Sequence, residues 1–170
     1  MAEFLVAPAS AGIALFIGVF AGVIAIWGVA TQRSIARRRA TLDHIAKSES
    51  DGDVIRARRK FIELAKAEGG LATWAEPNKE PSEEVQAIRI VLNEFELIAI
   101  CIQRGIIDYE LYRRWNRSGT IKYWTHAAPF VHHLRSRLEN ELIYHEFEEM
   151  VRWMKGESIP RRGRWLGLWF

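Results

Sequence analysis

From Phe4 to Gln32 the chain carries no ionisable side chain, and ahead of Arg33 the single charge is Glu3. That lack of charge excludes a solvated loop, so the segment is expected to be buried in lipid or in protein. Cysteine is nearly missing too. Cys101 stands alone inside the apolar run "ELIAICIQ". A lone cysteine excludes an internal disulfide framework, suits a reducing compartment, and reads as a buried thiol without the adjacent basic group that would activate it. Glycine and proline are absent from Val29 to Asp51, which excludes a hinge or linker there. No useful run of alternating polarity argues for a strand, and no repeat argues for a solenoid. Zinc-type cysteine pairs, Ser-His-Asp spacings and phosphate-cradling glycine loops are missing as well.

What is present begins with the apolar segment itself. About 20 residues at ~1.5 Å rise cross a hydrocarbon slab of roughly 30 Å, and Ala11 to Thr31 fills that length. A secretory signal would carry a basic region first and a shorter apolar run of ~7–15 residues, so an uncleaved anchor is expected. All 24 Lys and Arg follow Gln32, and Arg33, Arg37, Arg38 and Arg39 stand directly at the end of the span. Basic flanks stay on the cytoplasmic side. The expected placement is the bacterial inner (cytoplasmic) membrane, with the N-terminus periplasmic and the domain cytosolic. The net charge of +3 is concentrated in "QRSIARRRA" and "RRGRW". Basic residues beside a span meet anionic lipid at about 1 kcal/mol each. Membrane lipid is therefore expected as a partner, and nucleic acid is not.

At 170 residues the chain has room for one anchor and one modest domain. Residues 1–32 are expected to form the flank and transmembrane helix, 33–156 the cytosolic helical domain, and 157–170 a basic-aromatic tail. The span should run unbroken into the cytosol as a stalk ended by "SESDGD". A second helix, capped near Asp51 or Asp53, places Val54, Ala57, Phe61, Leu64 and Ala65 at helical spacing. After the proline-bearing loop "WAEPNKEPSEEV", Ser82 caps a central helix over about Glu83–Arg104. Its stripe is Val85, Ile88, Val91, Leu92, Phe95, Ile98, Ala99 and Ile102, and it closes on Gly105. Another helix starts from Asp108. The last is expected from about Phe130, after Pro129, to Lys155, with Leu134, Leu138, Leu142, Phe147, Val151 and Met154 inward. The fold class is all-α, an N-terminal single-pass transmembrane helix continuing into a cytosolic helical bundle.

The order of an N-terminal anchor, "QRSIARRRATLDHI", "IRIVLNEFELIAICIQRGIID", "PFVHHLR" and "EFEEMVRWM" resembles the bacterial and phage domain-of-unknown-function family numbered four thousand seven hundred and sixty. The resemblance covers about Thr31 to Met154. It implies a single-anchor helical protein and carries no established chemistry.

Candidate chemistry is sparse. Glu141, His145 and Glu148 or Glu149 would lie one turn apart on the expected last helix, but a di-iron bundle needs paired Glu-x-x-His motifs that are missing. No metal and no cofactor is expected. His132 and His133 point to different faces and read as one exposed and one core-edge residue. Arg39 and His44 fit the loose spacing of the small helical ribonucleases of the HEPN group, with Ala40 where those carry a polar residue; Arg137 and His145 are spaced too far apart for it. No catalytic residue is assigned. Arg89, Asn93 and Glu96, with Gln86 and Gln103, form a polar stripe on the central helix, expected to be a buried network, met for instance by an arginine of the last helix, or a ligand site.

Two features point to assembly. Ala14, Gly18 and Gly22 make a small-residue face that lets membrane helices approach closely. Arg161, Arg162, Arg164, Trp165, Trp169 and Phe170 form a tail suited to the inner leaflet or a partner groove. The expected function is a non-enzymatic membrane protein that forms a homo-oligomer or docks as an accessory subunit on a larger membrane complex. In layout alone it is similar to the small membrane accessory protein of type VI-B CRISPR loci. The alternative is a membrane-tethered HEPN-like ribonuclease or a ligand sensor in phage defence.

Overall fold

The computed structural model describes residues 7–158, and all the regular structure among them is helical. Five α-helices follow one another: α1 Ala7–Ser50, α2 Gly52–Lys66, α3 Glu83–Gln103, α4 Tyr109–Leu138 and α5 His145–Lys155. Two short 3₁₀ turns, Leu71–Trp74 and Pro77–Lys79, connect α2 to α3. The chain divides into two compact units, with the boundary between Ala36 and Arg37.

In the first unit, α1 carries its apolar side chains outward: Phe16 is 80% exposed and Trp27 72%. A helix apolar on every side needs an apolar surround, and the other described residues do not cover this one.

The second unit is built on locally encoded helix starts. Asp51 caps α2, its carboxylate accepting from the amides of Asp53 and Val54 at 3.0 and 3.3 Å. Ser82 Oγ accepts from Val85 N at 3.3 Å, and Glu83 and Glu84 occupy the first turn of α3, where negative charge meets the helix dipole. Asp108 does the same for α4 through Leu111 N at 2.9 Å. Gly105 takes the left-handed conformation, φ 68°, that ends α3. The buried side of α2 is Ala57, Phe61 and Leu64; of the expected residues, Ala65 is partly buried and Val54 lies at the margin. The stripe expected on α3 is buried throughout.

At the centre, Phe95 stacks on Phe147 with ring centroids 4.6 Å apart, and Trp124 meets Phe147 edge-on at 5.1 Å. These contacts join α3, α4 and α5. Cys101 is half-buried, and burial pushes its thiol above the ordinary value.

The last third differs from expectation. No single helix runs from Phe130 to Lys155. α4 continues through Pro129 to Leu138, the chain turns over 139–144, and α5 starts afresh at His145. Leu138 and Leu142 are 54% and 73% exposed, so neither is a core residue. The turn has no glycine, yet Glu139 and Tyr144 both take positive φ, 50° and 55°. That conformation costs roughly 1–2 kcal/mol per residue. Arg135 helps to offset it, because its Nε donates to the Ile143 carbonyl at 2.9 Å across the turn. The kink in α4 is at Asn116, φ −130° and ψ 20°, not at Pro129. The Asn116 side chain folds over Gly119, so a Cβ there would have to displace its amide group.

Candidate functional site

Within the membrane-length part of α1, Ala14, Gly18 and Gly22 are exposed, and a Cβ added at either glycine would meet nothing within 4 Å. The face is open. Beyond it, Arg33, Arg38 and Arg39 are exposed and Arg37 is half-buried; Arg39 pairs with Asp43 at 4.0 Å. The tail candidates Arg161, Arg162, Arg164, Trp165, Trp169 and Phe170 lie outside the described residues.

The polar stripe on α3 does not form one network. Asn93 is exposed on the outer face, within about 60° of Ile90, which is exposed too. Arg89 binds Glu80 at 2.5 Å, and Arg137 reaches the same carboxylate at 3.5 Å. The hydrogen bond and charge of Arg89 hold the Glu80 carboxyl below its ordinary range. Gln86 is exposed, and Gln103 bonds to Glu146 of α5.

Glu96 is half-buried and meets the backbone of α5. Instead of an arginine, its carboxylate accepts from the backbone amides of Phe147 at 2.7 Å and Glu146 at 3.3 Å. Tyr144, the residue before α5, supplies no side-chain cap. Glu96 therefore caps α5 from α3. Burial raises its carboxyl above the ordinary range, opposed by those two amide bonds. The other end of α5 is held from α4: Tyr109 Oη donates to the Trp153 carbonyl at 2.8 Å and Arg117 Nε to the Met154 carbonyl at 2.7 Å.

Two ion pairs between helices carry no local sequence signature. Arg58 of α2 grips Glu94 of α3 at 2.7 Å and reaches Glu49 at 3.3 Å. Burial of Glu94 raises its carboxyl despite the arginine. Arg135 of α4 binds Glu148 of α5 at 2.7 Å, with side chains 6% and 19% exposed. Burial alone would raise the Glu148 carboxyl, but the hydrogen bond and charge of Arg135 bring it below the ordinary range. One signal for Arg135 was available in the sequence. It lies four residues after buried Val131, on the inward stripe of α4.

The remaining candidates scatter. Glu141 is in the turn before α5, away from the helix that carries His145, Glu148 and Glu149, and no His, Cys, Asp or Glu group suited to a metal occurs among the described residues. His132 and His133 are both exposed, which corrects the core-edge reading of one of them; His133 lies 3.7 Å from Glu76. Arg39 and His44, five positions apart on one helix, are separated by about 140° around its axis. Arg39 is exposed, whereas His44 Nε2 is buried and has no hydrogen-bond partner among the described residues. Burial, with the charges of Arg58 and Lys47, keeps that imidazole below its ordinary value.

These observations define an all-α protein in which one of the described helices, beginning near the N-terminus, is long and apolar enough to cross a membrane. The family model described as Domain of unknown function (DUF4760) matches residues 15–154, and the chain belongs to that family. No curated protein matches it. No solved structure matches it either.

Proposed function

We propose that the protein is a single-pass inner-membrane protein that self-assembles, or docks as an accessory subunit on a larger membrane complex, without catalysing a reaction. The supporting observation is the exposed apolar part of α1, with the open face of Ala14, Gly18 and Gly22 along it. Such a helix enters lipid on its apolar surface, and its small face admits the backbone of another helix. The arginines after the span favour a cytosolic second unit. Within that unit Arg58, Glu94, Glu96, Arg135 and Glu148 bind one another or the backbone. Their charges are engaged in holding helices together, which favours association over chemistry.

Sizing the full chain in nanodiscs tests this reading. Gly18→Ile and Gly22→Ile keep the span apolar while filling its small face, so discrete higher-order particles of the parent should shrink while insertion survives. A parent chain that stays monomeric alone and with every purified membrane partner would overturn the proposal.

A further inference from the structure

The outer face of α3 carries three large apolar side chains that no other described residue covers. Ile90 is 42% exposed, Leu97 60% and Ile100 39%. With exposed Gln86, Asn93 and Arg104 they occupy positions 86, 90, 93, 97, 100 and 104. At ~100° per residue those positions fall within an arc of about 80°. Their spacing reads the same in both directions about position 95.

A helix face with that symmetry matches itself when a second copy lies antiparallel. Ile90 then meets the partner's Ile100, and Asn93 meets Leu97. At each end Arg104 lies within about 5 Å, measured along the axis, of the level of the partner's Glu83. Both residues are exposed, and neither has an ion-pair partner among the described residues. Opposite charges left free at the two ends of one apolar strip are complementary only in the antiparallel arrangement. The first-turn acids Glu83 and Glu84 also come near the carbonyl end of the partner's α3, where Arg104 offsets their charge.

We propose that α3 is the contact between cytosolic domains of two copies of this chain, packed antiparallel about a twofold axis near position 95. This rests on the self-assembly reading above and names its soluble contact. The strip, about 30 Å by 12 Å, offers roughly 360 Å² per copy, below the ~800 Å² per partner of a stable interface. The pairing is weak in free solution and depends on the shared membrane, which raises the effective concentration of one domain for the other.

The test is cross-linking of the full chain in membranes, with Cys101→Ser removing the native thiol. Ile90→Cys combined with Ile100→Cys should give a dimer with an oxidant or a short bis-maleimide. Either substitution alone should give none, because with the axis near position 95 each of these positions lies about 15 Å along the helix from its own copy. Arg104→Glu should reduce the cross-linked fraction and adding Glu83→Arg should restore it, a rescue that a strip lying on lipid would not show. Leu97→Glu should weaken the pairing more than roughly tenfold through lost apolar burial. If the double-cysteine chain gives no dimer, or the charge exchange gives no rescue, while sizing still finds oligomers, the α3 contact is wrong and the assembly reading stands. If the parent is monomeric throughout, both fall.

Discussion

Removing the carboxylate of Glu96 should loosen α5 before it disturbs any other helix. That carboxylate is the acceptor for the amides of Phe147 and Glu146, at 2.7 and 3.3 Å. Losing a helix cap costs about 0.5–2 kcal/mol, and a hydrogen bond to a charged group is worth about 1.5–3 kcal/mol. The two figures overlap, since they count the same bonds, so Glu96→Ala should cost about 2–3 kcal/mol, a fall in Tm on the order of 10 °C. Glu96→Gln keeps an oxygen acceptor and sheds a charge that burial disfavours, so it should cost less than about 1 kcal/mol. Asn93→Ala, three residues away on the exposed face, should change stability by less than about 0.5 kcal/mol. Thermal unfolding of the full chain in detergent, followed by circular dichroism, orders the three variants. Hydrogen exchange at Glu146 and Phe147 should quicken in Glu96→Ala ahead of exchange in α3. A Glu96→Ala chain as stable as the parent, with those amides still protected, would refute the capping argument and make Glu96 a surface group open to a ligand or partner.

Arg135→Met should cost about 3 kcal/mol, because it removes the 2.7 Å partner of Glu148 and leaves that carboxylate only the longer contact with half-exposed Arg152 at 3.5 Å; adding Glu148→Gln should recover part of that loss in urea titrations. Acid should weaken the parent through the same pair. The Glu148 carboxyl titrates lower in the folded chain than its ordinary 4.5, so its stabilisation is present above that pH and is lost as pH falls through the folded value. Glu148→Gln should flatten that limb of a stability–pH curve. His44 adds a separate loss that begins higher, because the folded imidazole resists protonation below its ordinary 6.5 while the unfolded chain takes up the proton. His44→Gln should remove it, and an unchanged slope between pH 6.5 and 5 would count against a buried neutral histidine.

How far the sequence reaches is visible element by element. Asp51, Ser82 and Asp108 announce their helices because a cap acts within three residues of itself. The stripe of α3 is legible for a similar reason: 3.6-residue periodicity is a property of one helix and its solvent. The same periodicity places Asn93 outward, and its polar neighbours obscured that. The uncharged stretch from Phe4 to Gln32 by itself demands an apolar surround, and the glycine- and proline-free run after it agrees with α1 extending to Ser50.

Tertiary packing decided the rest. The turn over 139–144 has no glycine or proline to mark it, since its two left-handed residues are held by Arg135 and by the packing of α5, both remote from any local rule. Pro129 reads as a helix start from sequence, yet α4 runs through it, because a helix whose faces are buried on both sides of a proline can tolerate one missing hydrogen bond. The partners of Arg58 and Glu96, 36 to 51 positions away, were equally out of reach of pattern reading. Local caps and periodicity are encoded within a turn or two of the chain, whereas a buried charge takes the partner that the packing of whole helices brings to it.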